Sequence, residues 1–211
     1  MIQRPLGKSG INVSEIAFGG VEIGMPYGIG VETDADMISE AEAIYLLHSA
    51  QESGINFYDT ARLYGNSEAI IGKAFKEKRK DVIISTKCRH LYNDHKKLPD
   101  YHALQNIIEA SLQESLAFLQ TDYVDVFMLH YGDKEILAND NVAKIFKQLK
   151  TSGVVRATGV SLYTPEETEM AINSCNWDVI QLPFNLMDQR QSALFSLAKE
   201  KGIGIVVRSV L

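Results

Sequence analysis

The chain has 211 residues, 45% of them hydrophobic and 23% charged, with a formal net charge of −6. That size supports one substantial core, and the acidic balance argues against a nucleic-acid binder or a protein held to acidic lipid by charge. Two cysteines (Cys88 and Cys175), no apolar stretch near the roughly 20 residues of a membrane span, and no signal-peptide core in Met1–Gly7 lead us to expect a reduced cytoplasmic protein without a membrane partner.

Leu6–Ile11 reads as a hairpin turn between two short strands, and a first sheet strand covers Glu15 to Phe18, ending at Gly19-Gly20. Residues 39–53 have helical spacing, with Ala41, Ile44, Leu47 and Ala50 on the apolar side. From Ile55 onward, short β-branched runs at 55–60, 82–87, 123–130, 155–161, 179–185 and 203–210 alternate with helical segments at 67–78, 101–119, 139–151, 164–175 and 189–201. Thr164, Pro165 and Glu167 form an N-cap, first-turn proline and capping-box acid, while Gly202 closes the last helix.

Strands alternating with helices imply parallel pairing, and their nearly continuous apolar character implies burial on both faces. Two architectures fit this alternation, the doubly wound sheet and the (β/α)₈ barrel. A dinucleotide-binding doubly wound sheet calls for a glycine-rich turn after an early strand, and Gly28-Ile29-Gly30 is too sparse and misplaced for it. Polar residues at the ends of several different strands favour a TIM-type (β/α)₈ barrel, here a single α/β domain over residues 1–211 with an N-terminal β-hairpin.

Those polar residues are Asp59 at the end of the second run, Tyr64 in the loop after it, Lys87 at the end of the third run, and His130 at the end of the fourth. They converge if the strands are parallel neighbours. The constellation resembles the catalytic tetrad of the aldo-keto reductases. The likeness extends along the chain, through Arg4-Pro5-Leu6-Gly7, Phe18-Gly19-Gly20, Asn56–Ala61, Tyr64-Gly65 with Ser67-Glu68, Ser85-Thr86-Lys87, Leu129-His130, Gly159-Val160-Ser161 and Gln181–Asn185, in the family's order.

The resemblance implies hydride transfer between a nicotinamide cofactor and a carbonyl, without metal; the substrate would be a small aldehyde, ketone or sugar. The chemistry of the residues agrees. Hydride arriving at carbon puts charge on oxygen, which needs a proton donor and electrostatic support. Tyr64 would give the proton. Lys87 would lower its pKa, Asp59 would pair with Lys87, and His130 would hydrogen-bond the carbonyl oxygen. One histidine and one aspartate are too few for a zinc site.

By the same resemblance, Ser161, Gln181 and Asn185 hold the nicotinamide carboxamide, and Gly20 and Ser209 border the cofactor. The chain departs from the family in two places: Leu162 follows Ser161 where many members have Asn, and Arg208-Ser209-Val210-Leu211 stands where many have Tyr-Ser-Pro-Leu. A guanidinium can stack on a ring, so Arg208 is expected to replace the stacking aromatic. NADP(H) is favoured over NAD(H).

Each residue also has a bland role. Asp59 could cap a turn, Tyr64 could be a loop aromatic, Lys87 a solvated charge, and His130 an ordinary satisfied histidine; four such coincidences at strand ends are hard to sustain together. His48, His90, His95 and His102 read as helix or loop histidines. Cys88 is expected to flank the site with modest reactivity, and Asp125, within an apolar strand, reads as a buried structural group. Met25, Tyr27, Tyr92, Tyr131 and Tyr163 fall in loops ringing the mouth.

The pattern stops after a seventh strand, short of the ~250 residues typical of such barrels. The sequence therefore reads as a barrel lacking its C-terminal section, by fragmentation, natural shortness or completion by a partner. Its open edges would invite pairing into an oligomer. An alternative is a non-catalytic, cofactor-sensing or partner-binding relative, or an inactive fragment.

Overall fold

The computed structural model describes residues 1–93 and 95–210. Leu211, the last residue of the run that begins at Arg208, lies outside them. Strands β1 (Gln3–Pro5) and β2 (Asn12–Ser14) form the expected antiparallel hairpin. Seven further strands follow: β3 (Ala17–Gly19), β4 (Phe57–Asp59), β5 (Ile83–Lys87), β6 (Val124–Leu129), β7 (Val155–Ser161), β8 (Val179–Pro183) and β9 (Gly204–Arg208). They lie side by side in chain order, every neighbouring pair parallel, as a curled half-barrel.

Successive residues of a strand point to opposite faces, so each strand feeds two apolar layers. Tyr58, Ile84, Phe127, Val160 and Ile180 face outward into the layer under the helices. Phe57, Val126, Met128, Ala157, Val179 and Val206 face inward, where the hairpin's Leu6, Ile11 and Val13 cover them. Burial on both faces is the reason these strands read as unbroken apolar runs.

The connecting helices are α1 (Glu40–Glu52), α2 (Ser67–Phe75), α3 (Tyr101–Leu119), α4 (Lys134–Leu137), α5 (Asp140–Thr151), α6 (Pro165–Ser174) and α7 (Phe195–Lys201). Thr164 caps α6 with the expected reciprocal box, and Gly202 ends α7 in the left-handed conformation at φ 77°. Two expectations need correction. In α1, Leu47 is buried and Ile44 and Ala50 pack against the core as expected, but Ala41 is exposed and Ala43 is buried in its place. The run 189–201 is α-helical only from Phe195, after tight turns closed by Ser192 N–H on the Gln189 carbonyl and Leu194 N–H on the Gln191 carbonyl, with a 3-10 turn at Ser192–Leu194. The one-turn α4 carries no sequence periodicity of its own.

Asp125 is fully buried near the start of β6. It takes Arg79 and the backbone N–H of Ile84 on one oxygen, at 2.8 and 2.9 Å, and Arg156 on the other. That cluster ties β5, β6 and β7 together at the end opposite the polar strand ends, in agreement with a structural role. At the open side, a groove of about 1050 Å³ runs between the hairpin, β3 and β9, lined by Leu6, Val13, Phe57 and Val206 among others and away from Asp59, Tyr64, Lys87 and His130.

Candidate active site

Asp59, Lys87 and His130 close β4, β5 and β6 or directly follow them, so parallel register delivers all three to one end of the sheet. Tyr64 arrives from the loop after β4, which is tightly held. Arg62 N–H donates to the Lys87 carbonyl at 3.0 Å, Asn66 N–H to the Gly24 carbonyl at 2.9 Å, and Ser67 N–H to the Tyr64 carbonyl at 3.0 Å. Gly65 turns there at φ 52°, and a Cβ on it would fall 2.1 Å from the Gly24 oxygen. Beneath the loop, buried Glu68 pairs with Arg62 and accepts from Thr86 Oγ1 at 2.6 Å.

The four side chains meet. Lys87, 1% exposed, donates from Nζ to Asp59 Oδ2 at 2.7 Å and to the Thr60 carbonyl at 2.9 Å. The ammonium stands 5.0 Å from the centre of the Tyr64 ring, and the His130 ring meets Tyr64 edge to face at 5.4 Å. Buried Gln181 reaches over from β8 and donates to the same Asp59 oxygen at 3.1 Å. Among the described residues, Asp59 Oδ1 and His130 Nδ1 are buried without a partner.

Electrostatics sort the roles. Burial is the largest influence on Tyr64 and raises its pKa, with Asp59 adding to it, while Lys87 and Arg208 pull it down. The net direction is upward, which corrects the expectation that Lys87 brings this phenol below its ordinary value. Tyr64 is therefore protonated at neutral pH and is a donor. His130 is pushed down to about 4, first by burial and then by the nearby charge of Lys87, so it is neutral at pH 7 and keeps one N–H to donate. Burial lifts the Cys88 thiol to about 12, which removes the modest reactivity expected of it.

The other sequence-predicted residues divide. Ser161 and Gln181 are buried and directly paired in register at adjacent strand ends. Gly20 donates its N–H to the Asp59 carbonyl at 2.8 Å, and a Cβ there would lie 2.6 Å from Ser67 Oγ, so closeness of chain explains the glycine. Asn185 is spent on the chain itself, its Nδ2 donating to the Ser209 carbonyl beyond β9 at 2.9 Å and its Oδ1 accepting from two N–H groups of its own loop. Arg208 lies over the Tyr163 ring at 4.1 Å and donates to the Leu162 carbonyl at 3.1 Å.

One residue that the sequence reading assigned elsewhere joins the site. The His90 ring packs on His130 at 5.3 Å, although as a loop histidine it had no role. Its place three residues beyond Lys87, on the same strand-end loop, is the signal that could have found it. Of the loop aromatics, Tyr131 and Tyr163 pack together at 5.7 Å, and the Tyr92 hydroxyl donates to Asp133 at 2.5 Å. No group of three or more His, Cys, Asp or Glu side chains suited to a metal ion occurs among the described residues.

A family model described as the aldo/keto reductase family matches residues 15–211. The chain is 30% identical over 210 residues to the uncharacterized oxidoreductase YqkF of Bacillus subtilis (strain 168), covering 99% of this chain and 64% of that protein. It is 29% identical over 224 residues to the NADH-specific methylglyoxal reductase of Escherichia coli (strain K12), covering 98% of this chain and 66% of that one. The solved structure of the putative aldo-keto reductase PA4992 from Pseudomona aeruginosa superposes with a TM-score of 0.81 at 29% identity, over 97% of this chain and 77% of that chain. The chain thus spans 64% and 66% of the length of these two curated relatives.

Proposed function

The chain belongs to the aldo/keto reductase family, and from that membership we propose that it serves an oxidoreductase moving hydride between a nicotinamide cofactor and the carbonyl of a small aldehyde, ketone or sugar. The observation that carries the reading is the convergence of a buried Lys87–Asp59 pair, a protonated Tyr64 and a neutral His130 at one end of the parallel sheet.

The residues suit a nicotinamide. Its primary amide needs both a donor and an acceptor, which Ser161 and Gln181 offer side by side, and the unpartnered Asp59 and His130 atoms leave polar capacity at the same end. Gly20, Asn185 and Ser209 shape the wall, their polar groups largely engaged within the chain. When bound, the reduced cofactor supplies hydride. Tyr64 Oη gives its proton to the carbonyl oxygen, a transfer that runs downhill because an alkoxide is far more basic than a phenolate. His130 donates its N–H to the same oxygen and orients the carbonyl. Lys87, fixed by Asp59 and the Thr60 carbonyl, stabilises the phenolate left on Tyr64.

The sequence reading favours NADP(H), whereas one relative is named NADH-specific, so the test uses both. The folded protein is titrated with NADPH and NADH by nicotinamide fluorescence, then assayed for cofactor oxidation with aldehydes, ketones and sugars. Saturable binding and turnover are expected, with Tyr64→Phe lowering kcat by roughly 10²- to 10⁴-fold while binding persists. Turnover untouched by Tyr64→Phe would show that Tyr64 is not the acid.

A further inference from the structure

The chain has seven arginines, and six of them pair with a carboxylate. Arg208 is the exception: among the described residues it has no carboxylate partner, and its polar contacts are the Leu162 carbonyl at 3.1 Å and Ser209 Oγ at 3.5 Å. It ends β9 at the same end of the sheet as the reaction centre, opposite Pro183 and two positions past Gln181 on the neighbouring strand. The face of Tyr163 at 4.1 Å covers one side of the guanidinium plane, and the Leu162 carbonyl, next in the chain to Ser161, holds its edge. Lys87, by contrast, is neutralised at short range by Asp59. Among the described residues, the site therefore contains one positive charge, that of Arg208, without a carboxylate partner.

That charge is felt where the chemistry happens. Arg208 lowers the pKa of both Tyr64 and His130, the two groups that face the carbonyl oxygen. Hydride transfer needs donor and acceptor carbons about 3–3.5 Å apart. A nicotinamide able to reduce a carbonyl held by Tyr64 and His130 therefore lies within reach of the same field. Loss of hydride converts a neutral dihydropyridine ring into a pyridinium cation, and two positive charges in a partly dehydrated site repel.

We propose that Arg208 sets a preference of the site for the reduced over the oxidised nicotinamide, holding the neutral ring and hastening loss of the cationic one. The proposal rests on the nicotinamide reading above and adds to it a preference between the two oxidation states. It also gives a reason for an arginine where the family commonly places a neutral aromatic: stacking alone would be served by either, whereas the charge distinguishes the two oxidation states.

The test is a ratio of dissociation constants, oxidised over reduced, measured by fluorescence and calorimetry on wild type, Arg208→Leu and Arg208→Lys. The phosphates are the same in both forms, so any attraction of Arg208 to them cancels in the ratio. Wild type is expected to favour the reduced form by roughly tenfold. Arg208→Leu should bring the ratio close to one, and Arg208→Lys should keep most of it. If Arg208→Leu does not fold, Arg208→Gln carries the same comparison. A ratio unmoved by loss of the charge overturns the proposal, as does parallel weakening of both forms, which would make Arg208 a neutral wall or a phosphate contact. Failure of the folded wild type to bind either form removes the nicotinamide reading itself, and this inference with it.

Discussion

The two ends of the parallel sheet solve opposite problems. At the end where the strands begin, Asp125 is fully buried and both its oxygens are taken by Arg79, Arg156 and the Ile84 N–H. At the end where the strands finish, Asp59 uses one oxygen and leaves the other buried and unpartnered, His130 does the same with a ring nitrogen, and Arg208 lacks a carboxylate among the described residues. Buried polar groups are normally satisfied, and Asp59 Oδ1 and His130 Nδ1 are two of six exceptions among the described residues, the two that fall on the converging strand-end side chains. One end fastens the sheet, and the reaction proposed for the other would draw on its unpaired polar atoms.

The largest expected effect breaks the fastened end. Asp125→Ala leaves Arg79, whose side chain is only 10% exposed, without its counter-charge. Removing one partner of a buried ion pair costs roughly 3–5 kcal/mol, and each kcal/mol moves Tm by about 2–4 °C in a domain of this size. Chemical denaturation should show that loss, while activity per folded molecule stays at the wild-type level. An Asp125→Ala variant as stable as wild type would mean the lower cluster does not anchor the sheet.

The next effect comes from the other end and has a sign that can be worked out. His130 titrates near 4 in the folded chain and near 6.5 when free, because burial and Lys87 disfavour its charged form. Between those values the unfolded chain binds more protons, so folding stability falls as pH drops from about 6.5 toward 4 and is fully present above that window. The shift corresponds to about 3 kcal/mol at most. His130→Gln should flatten stability against pH in that interval. Urea midpoints at pH 7 and pH 4.5 measure it, and equal pH dependence in both proteins would place the titrating group elsewhere.

Much of this contrast could be read from the order of residues. Each apolar run ends in a chemically distinctive side chain, and alternation with helices forces the runs parallel, so Asp59, Lys87 and His130 had to share an end. Asp125 declared itself by interrupting an apolar strand. The contacts that complete the site were not legible, because they join residues far apart: Gln181 reaches Asp59 across 122 positions, and the Arg62–Glu68 pair beneath Tyr64 depends on how a loop folds back. The direction of the Tyr64 shift was also hidden. Spacing shows that a lysine is near, but only burial shows that dehydration outweighs it. The start of α7 differs from the expectation for a local reason, since the Asp188–Arg190 pair and the turn closed by Ser192 N–H on the Gln189 carbonyl occupy positions where composition alone suggests helix.

The smallest effect sharpens the comparison by asking how the reactive end is kept rigid. Tyr163, on which Arg208 rests, precedes the cap of α6. Glu167 accepts the N–H groups of Tyr163 and Thr164 at 3.2 and 3.0 Å, and Thr164 Oγ1 accepts the N–H of Glu167 at 3.3 Å. Thr164→Ala deletes half of that box at a cost of about 1 kcal/mol. It removes no group from the Lys87–Asp59 pair, Tyr64 or His130, so denaturation should register the loss while kcat remains close to wild type. A fall in kcat larger than the fall in stability would mean that the cap positions Tyr163 and Arg208 as well as the helix, and that the reserve of unpaired polarity at this end depends on local capping more than on the sheet beneath it.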